Sequence, residues 1–552
     1  MNRYREDHTF IDLLKRSLDE RFFEWADKEL AHFAERTIIY DERARHTDRE
    51  GQPRLIKYDR YGEDISEIWV NEGYRQTADE VYRTGIAAYP HKPIPQLEEK
   101  GNYIYAFAQS YLLSQVEPGL YCPVTLTMAV AYLLDHFADD SLKKKYLPHV
   151  ISTGEVPLYE GATFLTERQG GSDVGANETK AVTRGDHYLL YGEKYFASNA
   201  GRAGVAAVLA RIEGAGSGTK GLSLFLVPWR REDGSLNGIT IRRLKDKLGV
   251  RAVPSAEVVF HGAKGFLIGE ASKGFYYMMD ALNLSRVCNA VASVGIMRRA
   301  FVEARDYAKR RTAFGARLID FPMVKETLGK LAARQDAALR ATFELVKRFD
   351  DVMGKPRATK ESDKALLRLL IALLKARTAA EAIDFAHEAI HLHGGNGYIE
   401  DFVTPRLLRD AQVLTVWEGT ENILALEVLR LIRKYRIHED FIGDVQDMLA
   451  SMPESLASLT RPVREGIERL HEHIRRLTKA SEEWQTLYAK RIAHLMTDVF
   501  MSAVILRDAA GPDRTSKKIS AAHIFIEEIW SNPHDWEKGN KAYTHVSELV
   551  DL

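Results

Sequence analysis

Three short stretches carry the residue types that do chemistry. His387-Glu388-Ala389-Ile390-His391 is an H-E-x-x-H run, two imidazoles one helical turn apart with a carboxylate between them, as in zinc hydrolases. It continues Leu392-His393-Gly394, but the third histidine of the extended zinc pattern would fall at position 397, which is Gly397. A distant carboxylate such as Glu418 is the remaining third ligand. The histidines are as easily read as a polar face near a helix C-terminus, where cationic side chains are favourable, and no metal is expected.

The second stretch is Thr166-Glu167-Arg168-Gln169-Gly170-Gly171-Ser172-Asp173-Val174. Glycine and serine clusters are ordinary turn formers, so alone it reads as a connecting loop. Its functional reading is a row of backbone N–H and hydroxyl donors offered to an anionic or heterocyclic ligand. The third stretch is Trp417-Glu418-Gly419-Thr420-Glu421-Asn422, followed by Ile423, Leu424, Leu426, Val428, Leu429 and Ile432 at helical spacing. Thr420 or a neighbour can cap that helix, with Glu418 and Glu421 complementing its dipole. Alternatively Glu418 is a base: the helix N-terminus favours its charged form, apolar surroundings the neutral one, and a bound ligand that expels water favours the second effect. A fourth stretch, Glu213 to Gly221, invites a phosphate-loop reading but lacks the G-x-x-x-x-G-K-[ST] spacing and reads as a hairpin loop between strands.

These stretches need elements to hold them. A chain of 552 residues exceeds what one core serves, so several domains are expected. The apolar fraction of 45% and charged fraction of 28% are those of a globular protein, and a net charge of −1 gives no global pull toward nucleic acid or anionic lipid. Cys122 and Cys288 are too few and too far apart for a disulfide framework or a C-x-x-C motif. The N-terminus has no apolar core and no apolar run approaches membrane-spanning length, so the expectation is a cytoplasmic protein with no membrane partner.

Apolar residues recur at helical spacing through residues 1–155, with a polar Asp41–Asp64 stretch read as an extended loop or hairpin insertion. Residues 156–272 read as strands separated by glycine turns. Helical period returns over 273–435, where an alanine-rich helix from Ala376 to Leu392 is closed by Gly394-Gly395. Residues 436–552 form a further helical extension, with Ile467, Leu470, Ile474 and Leu477 on one face and a break at Gly511-Pro512. The fold class is therefore mostly α with a central β domain.

Seven segments in order, Lys143-Lys-Lys-Tyr-Leu147, Thr166 to Val174, Lys194-Tyr-Phe-Ala-Ser-Asn199, Lys247-Leu-Gly-Val-Arg251, Arg311-Thr-Ala-Phe-Gly315, His393-Gly-Gly-Asn-Gly-Tyr398 and Trp417-Glu-Gly-Thr420, together resemble the acyl-CoA dehydrogenase superfamily. Tyr121-Cys-Pro-Val-Thr125, Arg243-Leu-Lys-Asp-Lys-Leu-Gly249 and the C-terminal extension look most like its AidB-like branch. The resemblance implies an N-terminal helical domain, a middle β-barrel or sheet domain and a C-terminal four-helix bundle. It also implies FAD, with Leu165, Thr166, Gly171 and Ser172 in the loop facing the flavin, and Phe196, Ala197 and Ser198 where relatives carry Trp-Ile-Thr. Arg311, Phe314, Gly394 and Gly395 match positions that reach FAD from a neighbouring subunit, which implies a homo-oligomer, a tetramer. His391 and Pro322 stand where relatives place glutamines, so the adenosine side is implied to be held differently. Trp417 and Thr420 complete the cofactor set; Ser172, Arg286 and Gly419 are the implied substrate contacts.

Some relatives supply the base immediately before an arginine corresponding to Arg286; here that position is Ser285, which leaves Glu418 as the implied catalytic base. The implied reaction of fatty acid metabolism is removal of an α-proton by Glu418 and of a β-hydride by FAD, giving a trans-2-enoyl-CoA, with an electron-transfer flavoprotein or similar acceptor as partner. Rival readings are an acyl-CoA oxidase and an AidB-like stress-response or acyl-CoA-binding flavoprotein with little turnover. Nucleic-acid binding is disfavoured, since residues 436–552 carry 15 Lys and Arg against 19 Asp and Glu.

Overall fold

The computed structural model describes residues 2–354, 359–531, 544–546 and 548–549. In chain order the elements are α1 (His8–Ser17), α2 (Glu20–Asp48), β1 (Arg54–Tyr58), β2 (Asp64–Trp69), α3 (Glu72–Arg83), β3 (Pro93–Ile94), β4 (Glu99–Lys100), α4 (Tyr103–Ser114), α5 (Pro118–Phe137) and α6 (Asp140–Val150). Seven strands follow, β5 (Gly161–Phe164), β6 (Lys180–Arg184), β7 (His187–Ser198), β8 (Val205–Ile212), β9 (Leu222–Pro228), β10 (Ile239–Leu244) and β11 (Ser255–Leu267). Then come α7 (Gly274–Arg310), the short β12 (Thr312–Ala313) and β13 (Ala316–Arg317), α8 (Pro322–Met353), α9 (Glu361–His393), α10 (Thr404–Leu414), α11 (Glu421–Tyr435), α12 (His438–Met448), α13 (Ala457–Leu477), α14 (Glu482–Ala510) and α15 (Ser516–Trp530). Helix starts follow local chemistry: the side chains of Asp7, Asn71, Asn102, Asp139, Ser481 and Thr515 each accept a hydrogen bond from a first-turn N–H that the helix leaves unpaired.

The chain divides into two compact units: Met1–Arg3 with Trp25–Cys288, and Tyr4–Glu24 with Asn289–Leu552. In the first, α4 and most of α5 are buried on all sides. By length and composition α5 is the described helix apolar enough to cross a bilayer, which the sequence reading had not found; 83% of its most apolar stretch is buried inside the protein, as in a core helix. The β strands form one sheet in which β11, β7, β6, β8 and β9 pair in turn and β9 returns to β11, so the ladder closes on itself; β10 and β5 are attached to β11 and β8. Closure removes most of the unpaired edge that an open sheet would present. Val130, Leu133 and Leu134 of α5 pack with Val205, Leu209, Leu224 and Leu226 of the strands. At Gly161 a Cβ would lie 2.9 Å from the Thr127 Cα, so helix and strand can approach this closely only over glycine.

The Asp41–Asp64 stretch is partly corrected. Helix α2 runs through Asp48, and the hairpin is β1 with β2, reaching Trp69. Charged residues spaced along a helix face mimic a polar loop when only composition is read. The Glu213–Gly221 segment is the connection between antiparallel β8 and β9, as expected.

The second unit is helical. Buried residues occur all around α9, which contacts α8, α10, α11 and α14. The C-terminal extension packs α14 and α15 on α8, and Ile467, Leu470, Ile474 and Leu477 are all buried on α13. Helix α1 is tied to this assembly by polar links: Thr9 donates to Asp336 at 2.8 Å, Lys518 pairs with Asp12 at 2.9 Å, and Arg16 and Arg340 both meet Asp508.

His136, half-buried against the Tyr132 ring, is held down to a pKa of about 4 by loss of solvent, against a contribution from Asp135 that raises it. Unfolded, it takes up a proton near its ordinary 6.5, while the folded chain stays neutral there. The stabilisation is thus complete above that ordinary value and is lost as pH falls toward the folded one, on the order of 2 kcal/mol. His136→Asn is expected to shrink the fall in melting temperature between neutral and mildly acidic buffer, with buried His91, also held low by desolvation, supplying a remainder. An unchanged fall in thermal melts would remove His136 from the account.

Candidate active site

Within the second unit, α10 ends at Leu414 and α11 begins at Glu421, and the connection holds Trp417, Glu418, Gly419 and Thr420. Glu418 and Gly419 have φ of +57° and +106°, consecutive left-handed residues. For glutamate this backbone region is sterically disfavoured, and such strain persists only where surroundings enforce it. Glu418 is half-buried. The Trp417 N–H donates to the Val413 carbonyl at 2.9 Å, and the Gly419 carbonyl accepts from Lys375 Nζ at 2.6 Å. Thr420 stands at the N-cap of α11, but its hydroxyl makes no capping bond. Glu421 is the helix-dipole carboxylate of the pair; it is also held by His494 Nε2 at 2.6 Å, which lowers its pKa against the effect of burial.

Arg311 and Phe314 flank the two-residue hairpin of β12 and β13, where Phe314 and Gly315 have φ of +52° and +83°. The Phe314 ring is 98% exposed. Helix α9 ends beside this hairpin's stem: Gly394 terminates it with φ of +60°, the His393 ring stacks on Tyr307 at 4.2 Å, and Asn396 donates to the Tyr307 hydroxyl. Gly394 and Gly395 are exposed, and a Cβ on either would meet nothing within 4 Å. His387, Glu388 and His391 bring one ligand atom each within 4.8 Å of one another on the exposed side of α9. The structure thus brings the Arg311 backbone, the His393 ring and Asn396 to Tyr307, with Phe314 exposed in the hairpin turn and Gly394 and Gly395 exposed at the end of α9, while Glu418 stands on its own turn.

In the first unit, the loop after β5 runs alongside the end of β7. The Tyr195 N–H donates to the Thr166 carbonyl at 2.9 Å, and Lys194 Nζ donates to the Leu165 carbonyl at 3.2 Å and to Glu167 Oε1 at 2.7 Å. Glu167 also accepts from the Glu178 and Thr179 N–H groups and the Thr179 hydroxyl. These bonds and Lys194 keep its carboxyl below the usual range although burial pushes it up; burial in turn lowers Lys194 to about 8. In front of this pair Gly171 and Ser172 are exposed and Thr166 half-buried, and a Cβ on Gly171 would come within 2.6 Å of the Thr166 hydroxyl. Ala197 is buried, the Ser198 and Ser255 hydroxyls lie 3.1 Å apart, and the Phe196 ring is 57% exposed. An exposed Phe196 ring and the hydroxyls of Thr166, Ser172 and Ser198 are the group types that seat a flat heterocycle. Arg286 and Ser285 are buried on α7 in this same unit, with Arg286 donating to Asn283 Oδ1 at 3.2 Å.

Lys375 and Asn289 are absent from the residues that type and spacing single out, and Lys194 enters there only as the first residue of a motif. Lys375 had a signal: it interrupts the buried helical row of Ile371, Ala372, Thr378 and Ala379, where a lysine must find an acceptor.

Family profiles described as "Acyl-CoA dehydrogenase, C-terminal domain", "Acyl-CoA dehydrogenase, middle domain" and "Adaptive response protein AidB N-terminal domain" match residues 272–432, 162–263 and 1–154. Acyl-CoA dehydrogenase family member 11 of Caenorhabditis elegans is 31% identical over 528 residues, 92% of this chain and 84% of that protein. Putative acyl-CoA dehydrogenase AidB of Escherichia coli is 29% identical over 470 residues, 83% of this chain and 81% of that protein. The crystal structure of Caenorhabditis elegans ACDH-11 in complex with C11-CoA superposes with a TM-score of 0.89 at 28% identity, covering 100% of this chain and 95% of that one.

Removing one member of the buried Glu167–Lys194 pair leaves an uncompensated charge behind the Thr166–Ser172 loop. Lys194→Met is expected to cost about 3–5 kcal/mol. Glu167→Gln in the same chain should restore part of it, because the pair then vanishes together. Urea denaturation of the two variants measures both; a single-variant loss below about 1 kcal/mol would mean the pair holds nothing.

Proposed function

The chain belongs to the acyl-CoA dehydrogenase family, in its AidB-like branch, and is an FAD-dependent oxidoreductase acting on acyl-CoA; we propose that it converts a fatty acyl-CoA to its trans-2-enoyl-CoA with Glu418 as the base. The observation that carries this reading is the enforced left-handed turn that sets a half-buried carboxylate outside α11 rather than in it. A carboxylate serving only the helix dipole needs no such backbone, and Glu421 already fills that role.

FAD, when bound, supplies the two-electron acceptor for the β-hydride. The residues fit it in type: in one unit half-buried Leu165, Thr166 and Ser198 and exposed Gly171, Ser172 and Phe196, with buried Ala197, offer a ring and hydroxyl groups, and Arg311, Phe314, His391, Gly394, Gly395, Trp417 and Thr420 are the candidates in the other. Glu418 takes the α-proton, its own N–H polarising the thioester oxygen so that the α-carbon becomes more acidic. Gly419, Ser172 and Arg286 are the further substrate contacts in this reading. Exclusion of water by the acyl chain strengthens both effects.

The exposed Phe314 ring supports a homo-oligomer, read as a tetramer, in which a neighbour covers it. An electron-transfer flavoprotein or similar acceptor reoxidises the enzyme, and the location is taken as cytoplasmic. The C11-CoA in the related Caenorhabditis elegans structure makes an eleven-carbon thioester the first substrate to try.

Anaerobic addition of undecanoyl-CoA should bleach the yellow protein within seconds. Glu418→Gln should keep its FAD and slow bleaching by about 10⁴-fold or more. If no acyl-CoA, short or long, straight or branched, reduces the wild-type flavin, turnover is the wrong assignment and acyl-CoA binding remains. Rapid reoxidation by oxygen in place of a flavoprotein acceptor would mark an oxidase.

A further inference from the structure

Helix α10 ends on the Leu414 carbonyl, one of the acceptors a helix C-terminus leaves without an internal partner. Asn289 of α7 supplies a donor: its Nδ2 lies 3.1 Å from that oxygen. Five residues on, Lys375 of α9 donates to the Gly419 carbonyl at 2.6 Å. Both side chains are buried, with 5% and 1% of their surface exposed. They come from two different helices of the same unit and take hold of the chain immediately before and immediately after the segment that contains Glu418.

Neither side chain is placed there by packing alone. A methionine or leucine would fill either volume without the cost of taking an amide or an ammonium out of water. Between the two anchored carbonyls stand the left-handed Glu418 and Gly419, which an unanchored loop would relax toward the ordinary helical or extended regions. A carbonyl that is fixed at each end restricts the peptide planes in between, and with them the direction of the Glu418 side chain and N–H.

We propose that Asn289 and Lys375 are positioning residues for the reaction, a two-point clamp that holds the Glu418 turn in its left-handed form. This rests on the reading of Glu418 as the base. The clamp acts on the rate of proton removal and not on acyl-CoA affinity, because neither donor is offered to the ligand.

The experiment uses the full-length holoenzyme. Lys375→Met and Asn289→Leu remove the donors and keep the volume; Lys375→Arg keeps a charged donor. In anaerobic stopped-flow with undecanoyl-CoA, Lys375→Met is expected to slow flavin bleaching by about 100-fold and Asn289→Leu by about 10-fold. The dissociation constant for undecanoyl-CoA and the FAD content should stay within twofold, and Lys375→Arg should recover most of the rate. Hydrogen exchange of the Val416–Thr420 amides should be faster in both donor-less variants. Loss of FAD, binding and rate together would reduce the two residues to structural support and overturn the proposal. So would faster exchange with wild-type bleaching, since the turn would then not need holding. Wild-type exchange in both variants would overturn the clamp itself. If wild-type protein is reduced by no acyl-CoA, the functional reading fails, and the exchange data still decide the clamp. Should Lys375→Met not fold, Lys375→Gln, shorter and uncharged, is held to the same outcomes.

Discussion

An ammonium group inside a helical bundle cannot turn to water, and the chain around Lys375 is arranged to answer it. Its neighbours one turn away along α9, Ile371, Ala372, Thr378 and Ala379, are themselves buried. A carbonyl has to be brought in, and that of Gly419 comes at the end of two left-handed residues. The backbone between α10 and α11 is therefore not a free connection. Its course depends on α9, and α9 depends on the helices that surround it. A buried charge usually costs more than a hydrophobic replacement, so its presence marks a place where geometry is worth more than stability.

The first unit repeats the arrangement in another medium. There a closed strand ladder takes the place of the bundle, and Lys194 with Glu167 takes the place of Lys375. The pair is buried under the loop and ties it to β7 through Lys194 and the Leu165 carbonyl and to the start of β6 through Thr179. Exposed Ser172 and Phe196 can then be offered outward from a backbone that is itself dry and bonded. In both units the holding charges, Lys375 and the Lys194–Glu167 pair, are buried, while Ser172, Phe196 and Phe314 are exposed.

Much of this was legible beforehand. Helical spacing gave the texture of both helical regions, glycine turns marked the strands, and the order of seven motifs carried the family and the candidate base. What stayed hidden has particular causes. Arg43, Arg45 and Asp48 made the end of α2 look like a loop, because composition without phase does not separate an exposed helix face from a coil. Buried α5 passed unnoticed as an apolar helix since Tyr121, Thr125 and Asp135 interrupt its apolar run, although Tyr121 is itself buried and only Thr125 and Asp135 are partly exposed. Thr420 or a neighbour was expected to cap α11, and Thr420 does stand at its N-cap, but whether its hydroxyl bonds there depends on a rotamer that sequence does not specify. Asn289 and Lys375 are separated in sequence from the turn they touch by 125 and 44 positions, and only folding shows the meeting.

Helix α1 shows another side of long separation. Thr9 meets Asp336 and Arg16 meets Asp508, 327 and 492 residues away. Contacts this distant are the last that a growing chain can make, and they close the largest loops at the greatest entropic cost. At ribosomal rates of ~5–20 residues per second, the first helix waits about 25–100 s for its final partner to be synthesised. Phe10 has the Tyr4 ring beside it from the start, but Phe343, which its ring also meets, is made only much later. Helix α1 is thus among the last elements to complete its native contacts.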